Sequence, residues 1–219
     1  MTPERFRRIV RVLERRQPDL TVVMENVHKP HNFSAVLRTC DAVGVFEAHA
    51  VTPDGTLAVA DAVAQGTKRW VEVRTHAGLH EAFDHLRERG VRILAAHLDE
   101  RAVDFREIDY TLPTALLLGQ EKDGVTPEAA ARADGWIAIP MAGMVASLNV
   151  SVAAAVVLFE AQRQRAAAGL YDRRRLDETT WRRTLFEWAY PVLAERCWRE
   201  GVPYPPLGED GEILGKVLR

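Results

Sequence analysis

The chain has 219 residues, of which 47% are hydrophobic and 27% charged, and its formal net charge is −2. This composition excludes a disordered or fibrous protein and is typical of one globular domain with enough apolar material for a hydrophobic core. No apolar run approaches the roughly 18 residues of a membrane helix, and the charged first residues lack the apolar stretch of a secretory signal, so we expect a cytoplasmic protein. Two cysteines, Cys40 and Cys197, give neither a disulfide framework nor a metal-binding spacing.

The first predicted element is a basic amphipathic helix over residues 3–16, with Phe6, Ile9 and Leu13 on its apolar side. The first 16 residues hold six arginines against two glutamates, and residues 160–183 hold seven arginines against four acidic residues. Positive charge concentrated in two flanking segments favours a polyanionic partner. Solvated helix faces would give the same pattern, so the charge count alone leaves both interpretations open.

Between these segments, short aliphatic runs alternate with helical patterns, as in an α/β domain whose mainly parallel sheet is flanked by helices. Strands are predicted at residues 20–25, 47–51, 71–75, 92–97, 114–119 and 136–140. Helices are predicted at about residues 33–43, 78–89, 127–132 and 148–166. In the last of these, Val152, Val156 and Phe159 recur at helical spacing, so we expect this helix to pack on the sheet. A further helix over residues 179–200 precedes a Pro- and Gly-rich tail.

Two common kinds of site are disfavoured by the motifs. There is no G-x-G-x-x-G after the first strand, and the segment from Gly119 to Gly124 continues with Val-Thr instead of Lys-Ser or Lys-Thr, so it is not a phosphate-binding P-loop. His28 and His31 are three residues apart, but no third ligand of suitable spacing is near them. We therefore predict no metal.

Polar residues follow three of the predicted strands, where open α/β sheets bind their ligands. Asn32, Ser34, Arg38 and Thr39 follow the first strand, Glu121 follows the strand at 114–119, and Ser147, Asn149 and Ser151 follow the last strand. If these strands are neighbours, the three clusters converge on one crevice. Alternatively, Asn32 and Ser147 are helix N-caps and Arg38 is a surface cation. This structural interpretation is reasonable for any one residue but poor for all three clusters together.

The same residues resemble the motifs of a known family. Asn-Phe-Ser-Ala-Val-Leu-Arg-Thr at 32–39, Gly-Gln-Glu at 119–121, and Ile-Pro-Met at 139–141 leading into Ser-Leu-Asn-Val-Ser-Val-Ala at 147–153 are similar to the three motifs of the SpoU branch of the SPOUT methyltransferases. The third motif is long and specific, and the resemblance covers nearly the whole chain. Within this branch, the chain most resembles enzymes that methylate the ribose 2′-hydroxyl of guanosine 18 in the tRNA D-loop.

The resemblance implies a deep C-terminal trefoil knot in the α/β domain, S-adenosylmethionine as methyl donor, no metal, a tRNA substrate and a homodimer. It divides the chain into three segments. These are a basic N-terminal helix at 1–17, a methyltransferase domain at 18–168 with the knot from about residue 92, and a basic linker, C-terminal helix and tail at 169–219.

By the same resemblance, Arg38 is the catalytic residue, and Asn32 and Asn149 position it or the ribose. Ser147 helps to hold the substrate phosphate or Arg38, and Glu121 orders the pocket. The backbone around four residues holds the cofactor: Ala96, Gly119, Ile139 and Leu148. The tRNA is bound by arginines of both basic segments: Arg5, Arg8, Arg11, Arg163, Arg165 and Arg173.

The chemistry is an in-line displacement in which the 2′-hydroxyl oxygen attacks the methyl group of a sulfonium ion. Because the donor is already activated, orientation of the reacting atoms is a large part of catalysis. Deprotonating a guanidinium at neutral pH costs roughly 7.5 kcal/mol, so a free arginine base is expensive. We expect Arg38 to lie against the phosphate next to the target ribose and to orient the hydroxyl.

Two alternatives remain at this point. One is a related 2′-O-methyltransferase acting on ribosomal RNA or on the tRNA anticodon loop; ribosomal relatives commonly carry an extra N-terminal RNA-binding domain, and anticodon-loop relatives are close to the bare knotted domain. Basic extensions at both ends favour the D-loop enzyme instead. The other is a non-catalytic knotted RNA-binding protein, which would not need Arg38, Glu121, Ser147 and Asn149 together.

Overall fold

The computed structural model describes residues 1–52, 69–97, 99–120 and 123–215. In chain order the described elements are helix α1 (Pro3–Glu14), strand β1 (Leu20–Glu25), helix α2 (Pro30–Val43), strands β2 (Glu47–Val51) and β3 (Glu72–His76), helix α3 (Leu79–Glu88), strands β4 (Arg92–Ala96) and β5 (Val103–Asp104), a 3-10 turn (Phe105–Glu107), strand β6 (Thr114–Leu118), helix α4 (Pro127–Arg132), strand β7 (Gly135–Ala138), and helices α5 (Val150–Ala167), α6 (Glu178–Ala189) and α7 (Pro191–Glu200).

The chain divides into two compact units. One is Gln17–Leu170, and the other combines Met1–Arg16 with Tyr171–Arg219. The division into three segments that the sequence suggested stays a prediction. No helix in the described ranges is long and apolar enough to cross a membrane.

The first unit is built on a sheet of seven described strands, all paired in parallel, in the order β3-β2-β1-β6-β4-β7-β5. Strands β1 and β6 are buried at every position because helices cover both faces of a parallel sheet, which explains their near-continuous apolar sequences. The predicted α/β class with a parallel sheet flanked by helices is confirmed. Strands β1 and β6 are neighbours, but β4 lies between β6 and β7, so the three strands followed by polar clusters are not all adjacent.

Helices α2 and α5 do not begin where they would if Asn32 and Ser147 were their N-caps. Helix α2 begins at Pro30, whose fixed φ suits the first helical position, and its N-cap is Lys29. Helix α5 is capped by Asn149, whose side chain accepts a hydrogen bond from the Ser151 N–H. The N-cap interpretation of Asn32 and Ser147 is therefore wrong.

Helix α5 turns a different face to the core from the one its spacing suggested. Val152 and Phe159 are 47% and 50% exposed, whereas Ala154, Val157 and Leu158 are buried. The helix does pack against β6, as predicted, but the spacing of Val152, Val156 and Phe159 did not identify the face that it buries. Because almost every residue in the first three turns of α5 is apolar, helical periodicity alone does not select the buried face.

The second unit is helical: α1 packs against α6, and α6 against α7. The single helix predicted at 179–200 is two helices, because backbone torsions of φ −132° and ψ 62° at Tyr190 interrupt it. Pro191 causes the break, since proline lacks an N–H and disfavours helical torsions in the residue before it. Within this unit the Arg16 guanidinium lies 5.1 Å from the ring centre of the buried Trp188.

A buried cluster of titratable side chains lies between the sheet and α3. The ring atoms His49 Nδ1 and His76 Nε2 are 3.0 Å apart, and the Glu47 carboxylate lies 2.8 Å from Arg89 and 3.3 Å from Arg74. Burial lowers the pKa of His49 to about 3, although Glu47 acts in the opposite direction. Burial raises the pKa of Glu47, but His49, Arg74 and Arg89 outweigh it and leave that pKa below its ordinary value.

The free energy of unfolding should therefore depend on His49 at mildly acidic pH. His49 is neutral in the folded chain, but the unfolded chain binds a proton below its ordinary pKa of 6.5, so acid favours unfolding. We expect the unfolding free energy of the wild type to fall between about pH 6 and pH 4. In His49→Gln, the slope of that fall should be smaller by roughly 1 kcal/mol per pH unit, as measured by urea unfolding. Equal slopes for the wild type and His49→Gln would contradict this assignment.

Candidate active site

A cavity of about 360 Å³ lies at the carboxyl ends of β4, β6 and β7. Its wall comes from these strand ends, from the loops that follow them and from the first turns of α5: Ala96, His97, Leu118, Gly119, Gln120, Asp123, Gly124, Ile137, Ala138, Ile139, Met141, Ala146, Ser147, Leu148, Val150, Ala153 and Val157. This edge is where parallel α/β sheets bind ligands. A mostly apolar wall with a few polar groups is typical of a small-molecule site.

The four residues predicted to hold the cofactor all line this cavity: Ala96, Gly119, Ile139 and Leu148. Gly119 has a steric requirement, because an added Cβ would lie 2.0 Å from the backbone C and O of Gly124. Gly124 itself has a φ of +69°, which favours glycine. The backbones of residues 119 and 124 can therefore lie this close together only with glycine at 119. Cofactor binding by the four residues stays a prediction.

Asn32 and Asn149, 117 residues apart in the chain, are brought together beside the cavity. The Asn149 side-chain amide donates a hydrogen bond to the Asn32 side-chain oxygen at 3.2 Å, while the Asn149 oxygen accepts from the Ser151 N–H at 2.9 Å. Asn32 is 2% exposed. Because α2 packs against α5, this amide pair joins the residues of two separate motifs in a fixed orientation.

Arg38 lies on the exposed surface of α2 and makes no hydrogen bond or ion pair with any residue that the structure describes. It follows Asn32 by six residues, which in an α-helix is about 9 Å along the axis and about 240° around it. The two side chains thus leave α2 in different directions. Ser147 is exposed on the cavity wall, and Glu121 lies outside the described residues.

Five of the six arginines predicted to bind RNA are exposed. Arg5, Arg8 and Arg11 are three residues apart on α1 and so share one face of that helix. Arg173 is exposed, and so is Arg163, which pairs with Glu160 at 2.7 Å. Their contact with RNA stays a prediction.

Arg165, the sixth, is wrong as an RNA-binding residue. It is 0% exposed, and its donors are used inside the first unit by the Asp19 carboxylate at 2.7 Å, the Gln17 side chain at 3.1 Å, and the backbone oxygens of Tyr110, Leu112 and Asp19. A buried arginine with its fork fully hydrogen-bonded has no donor left for a phosphate. Its position on α5, two residues after the exposed Arg163, turns it toward the core.

The two arginines Arg165 and Arg173 should therefore respond differently to replacement by glutamine. Arg165→Gln should cost about 3 kcal/mol or more of unfolding free energy, because it leaves the Asp19 carboxylate without its cation. Arg173→Gln should leave stability within about 0.5 kcal/mol and should make the slope of log affinity for tRNA against log salt shallower by roughly one. Urea unfolding and salt-dependent binding measure the two effects. A shallower salt slope with unchanged stability in Arg165→Gln, together with a loss of stability in Arg173→Gln, would support Arg165 as an RNA contact.

His97, Asp123 and Met141 also line the cavity, although sequence reasoning did not select them. Each belongs to a segment that follows a strand, and that position is the signal that could have found them. Separately, Glu47, His49 and His85 have ligand atoms within 4.8 Å of one another, in the part of the chain that the structure describes. The Arg89 guanidinium lies 2.8 Å from Glu47 and 3.2 Å from His85, so a cation already occupies that position. The prediction of no metal stays a prediction.

A parallel α/β sheet with an apolar cavity at its carboxyl edge, walled by loops from three strands, is the arrangement typical of α/β proteins that bind small organic ligands. The family model SpoU rRNA Methylase matches residues 19–159, and the model SpoU, rRNA methylase, C-terminal matches residues 163–216. The chain belongs to the SpoU methylase family, which confirms the resemblance carried by its three motifs.

Similar proteins are found both by sequence and by structure. The chain is 56% identical to the tRNA (guanosine(18)-2′-O)-methyltransferase of Escherichia coli K12 over 215 residues, 97% of this chain and 94% of that protein. It resembles the crystal structure of the Aquifex aeolicus TrmH/SpoU tRNA modifying enzyme with a TM-score of 0.79 and 44% identity, over 86% of this chain and 96% of that chain. An AdoMet-bound rRNA methyltransferase from Sinorhizobium meliloti is 30% identical with a TM-score of 0.57, over 70% of this chain and 59% of that one.

Proposed function

We propose that the protein methylates the ribose 2′-hydroxyl of guanosine 18 in the D-loop of tRNA, with S-adenosylmethionine as the methyl donor, in the cytoplasm. The observation that carries this proposal is the 56% identity, over 94% of its length, to an E. coli enzyme named for that reaction. The geometry agrees with it, because residues of all three motifs meet around or beside one cavity.

The residues of the cavity fit S-adenosylmethionine. Gly119 and Gly124 pack backbone against backbone in the wall, which leaves no room for a Cβ at Gly119, and the apolar wall suits an adenine ring and an aliphatic chain. When bound, this donor supplies a methyl group on a positively charged sulfur. The backbone around four residues would hold it: Ala96, Gly119, Ile139 and Leu148. The proposed reaction involves no metal.

The remaining motif residues orient the acceptor. The hydrogen-bonded pair Asn32 and Asn149 holds two motifs in register, and Ser147 offers a hydroxyl on the cavity wall. Arg38 would lie against the phosphate beside the target ribose and orient the 2′-hydroxyl. As the oxygen–methyl bond forms and the methyl–sulfur bond breaks, leaving the neutral thioether, it would direct the hydroxyl proton toward that phosphate or solvent. Glu121 orders the pocket.

The active unit in this proposal is a homodimer. Val152 and Phe159 are about half exposed on α5, and Arg38 leaves α2 on a different side from Asn32. A second copy packed against α5 would cover the apolar side chains. Sedimentation equilibrium should give twice the 24.6 kDa mass of the chain, and a monomer at assay concentration would contradict the dimer.

The proposal includes a trefoil knot from about residue 92. What supports it is the strand order: β7 lies beyond β4, while the next helix, α5, packs against β6 and α2 on the other side of β4. The segment at 139–149 connects β7 to α5. Knots are otherwise nearly absent from protein folds, so family membership is needed to expect one.

Transfer of tritiated methyl groups into an unmodified tRNA transcript tests the function. We expect incorporation at guanosine 18 and none into a transcript with deoxyguanosine at that position, because the acceptor oxygen is then missing. Modification mapped to the anticodon loop or to ribosomal RNA would support a related methyltransferase instead. Binding of tRNA with no methyl transfer and no calorimetric heat from S-adenosylmethionine would leave a non-catalytic RNA-binding protein.

A further inference from the structure

A buried carboxylate outside the proposed catalytic set lies at the carboxyl end of β1, the strand that pairs with β6. Glu25 is the last residue of β1 and is 2% exposed. One carboxylate oxygen accepts a hydrogen bond from the Thr126 N–H at 3.0 Å, and the other accepts from the Thr126 hydroxyl at 2.5 Å. Both oxygens are thus used by one residue that lies 101 positions later in the chain.

Thr126 presents two donors to this carboxylate. Its hydroxyl oxygen accepts a hydrogen bond from the Ala129 N–H at 3.2 Å, as the N-cap of α4, so the hydroxyl proton is free to point at Glu25. An ionised carboxylate accepts at both oxygens, whereas a carboxamide of the same size would place its NH₂ against one of the two donors. Burying a carboxylate is costly, and an apolar side chain would fill the same space more cheaply. The pattern of donors therefore requires glutamate at position 25.

The contact holds Thr126, which directly follows the described residues 123–125 of the cavity wall. On the other side, Gly119 and Gln120 directly follow β6, which pairs with β1 so that Leu118 lies opposite Met24. The Gly124 N–H donates to the backbone oxygen of Gln120 at 3.0 Å, and Gly119, Gln120, Asp123 and Gly124 all line the cavity. Glu25 and β6 therefore hold these described wall residues from two sides.

We propose that Glu25 is a positioning residue that, through Thr126, holds the cavity-wall residues Gly119, Gln120, Asp123 and Gly124 in the arrangement that binds S-adenosylmethionine. This inference rests on the proposed function. If the anchor is lost, these wall residues adopt the binding-competent arrangement only part of the time, and the apparent dissociation constant rises by the inverse of that fraction. The effect falls on the dissociation constant and KM for S-adenosylmethionine, and the dissociation constant for tRNA stays unchanged.

Four variants test the contact from both sides. Glu25→Gln and Thr126→Val each remove part of it, Thr126→Ser retains both donors, and Thr21→Val is the matched control. Thr21 is a buried threonine on the same strand whose hydroxyl donates to the Glu47 backbone oxygen at 2.6 Å, away from the cavity wall. Calorimetry measures S-adenosylmethionine binding well below the unfolding temperature of each variant, and thermal unfolding measures stability.

We expect Glu25→Gln and Thr126→Val to weaken S-adenosylmethionine binding at least about 10-fold, with Thr126→Ser near wild type. Thr21→Val should lower the unfolding temperature and leave binding unchanged. Wild-type affinity in Glu25→Gln, or in Thr126→Val if the glutamine variant does not fold, overturns the inference. If the wild-type protein itself binds no S-adenosylmethionine, the proposed function fails and the inference falls with it, so the two failures are told apart by the wild type alone.

Discussion

Replacing Arg38 with alanine should lower the rate of methyl transfer to tRNA by about 100-fold to 10,000-fold, the range that a positioned proton-transfer group contributes. Arg38→Lys should recover little of this loss, because the ammonium group lacks the planar fork that contacts a phosphate at two points. The side chain lies off the cavity wall, so the dissociation constant for S-adenosylmethionine should stay at its wild-type value in both variants.

Single-turnover methyl transfer and calorimetry separate these two effects. Arg38 is exposed and has no partner among the described side chains, so neither variant should change the free energy of unfolding by more than about 0.5 kcal/mol. Arg106→Ala, which removes another exposed arginine of the same unit, should transfer methyl groups normally. Wild-type turnover in Arg38→Lys would show that planar geometry is not needed.

Gly119→Ala should abolish S-adenosylmethionine binding in the concentration range where the wild type saturates. The new Cβ would lie 2.0 Å from two backbone atoms of Gly124 and 2.2 Å from the Val125 nitrogen. Backbone atoms cannot rotate away as a flexible side chain can, so the loop itself must move and the cavity must change shape. A loss of more than about 3 kcal/mol in binding corresponds to over 100-fold in the dissociation constant.

The matched control is Gly78→Ala, because nothing lies within 4 Å of the Cβ position at Gly78. That variant should bind S-adenosylmethionine as the wild type does and lose about 1 kcal/mol of stability, because Gly78 is the N-cap of α3, where alanine is less favourable than glycine. Calorimetric titration of both variants measures the difference. Binding by Gly119→Ala at wild-type affinity would mean that the loop at 119–124 does not wall the ligand site.

Local sequence patterns located most elements of the first unit. Strands such as β1 and β6 are recognisable because a parallel sheet covered on both faces needs continuous apolar runs, and α4 because Thr126 and Pro127 mark its start. Strand β5 was not predicted because its two residues are too few to show the alternating pattern of a strand. The break at Tyr190 has a local cause in Pro191, yet the amphipathic pattern continues across it.

The three motifs identified the family and the candidate site residues. Sequence separation did not show which of these residues contact one another in the fold. The pair Asn32 and Asn149, and the contact of Glu25 with Thr126, join segments more than 100 residues apart. Strand order decides which of these segments lie side by side, and it depends on how the whole sheet packs. Strands with apolar runs of similar length do not indicate their order in the sheet.

Arg163 and Arg165 show most plainly what the sequence alone determined and what tertiary structure decided. The sequence determined that a basic segment ends helix α5, and both arginines fit an RNA-binding face equally well. Only the fold brings Asp19, Gln17 and the oxygens of Tyr110 and Leu112 to Arg165, from segments far along the chain. The free-energy cost of burying a charge depends on the acceptors that surround it, and those acceptors are assembled by packing.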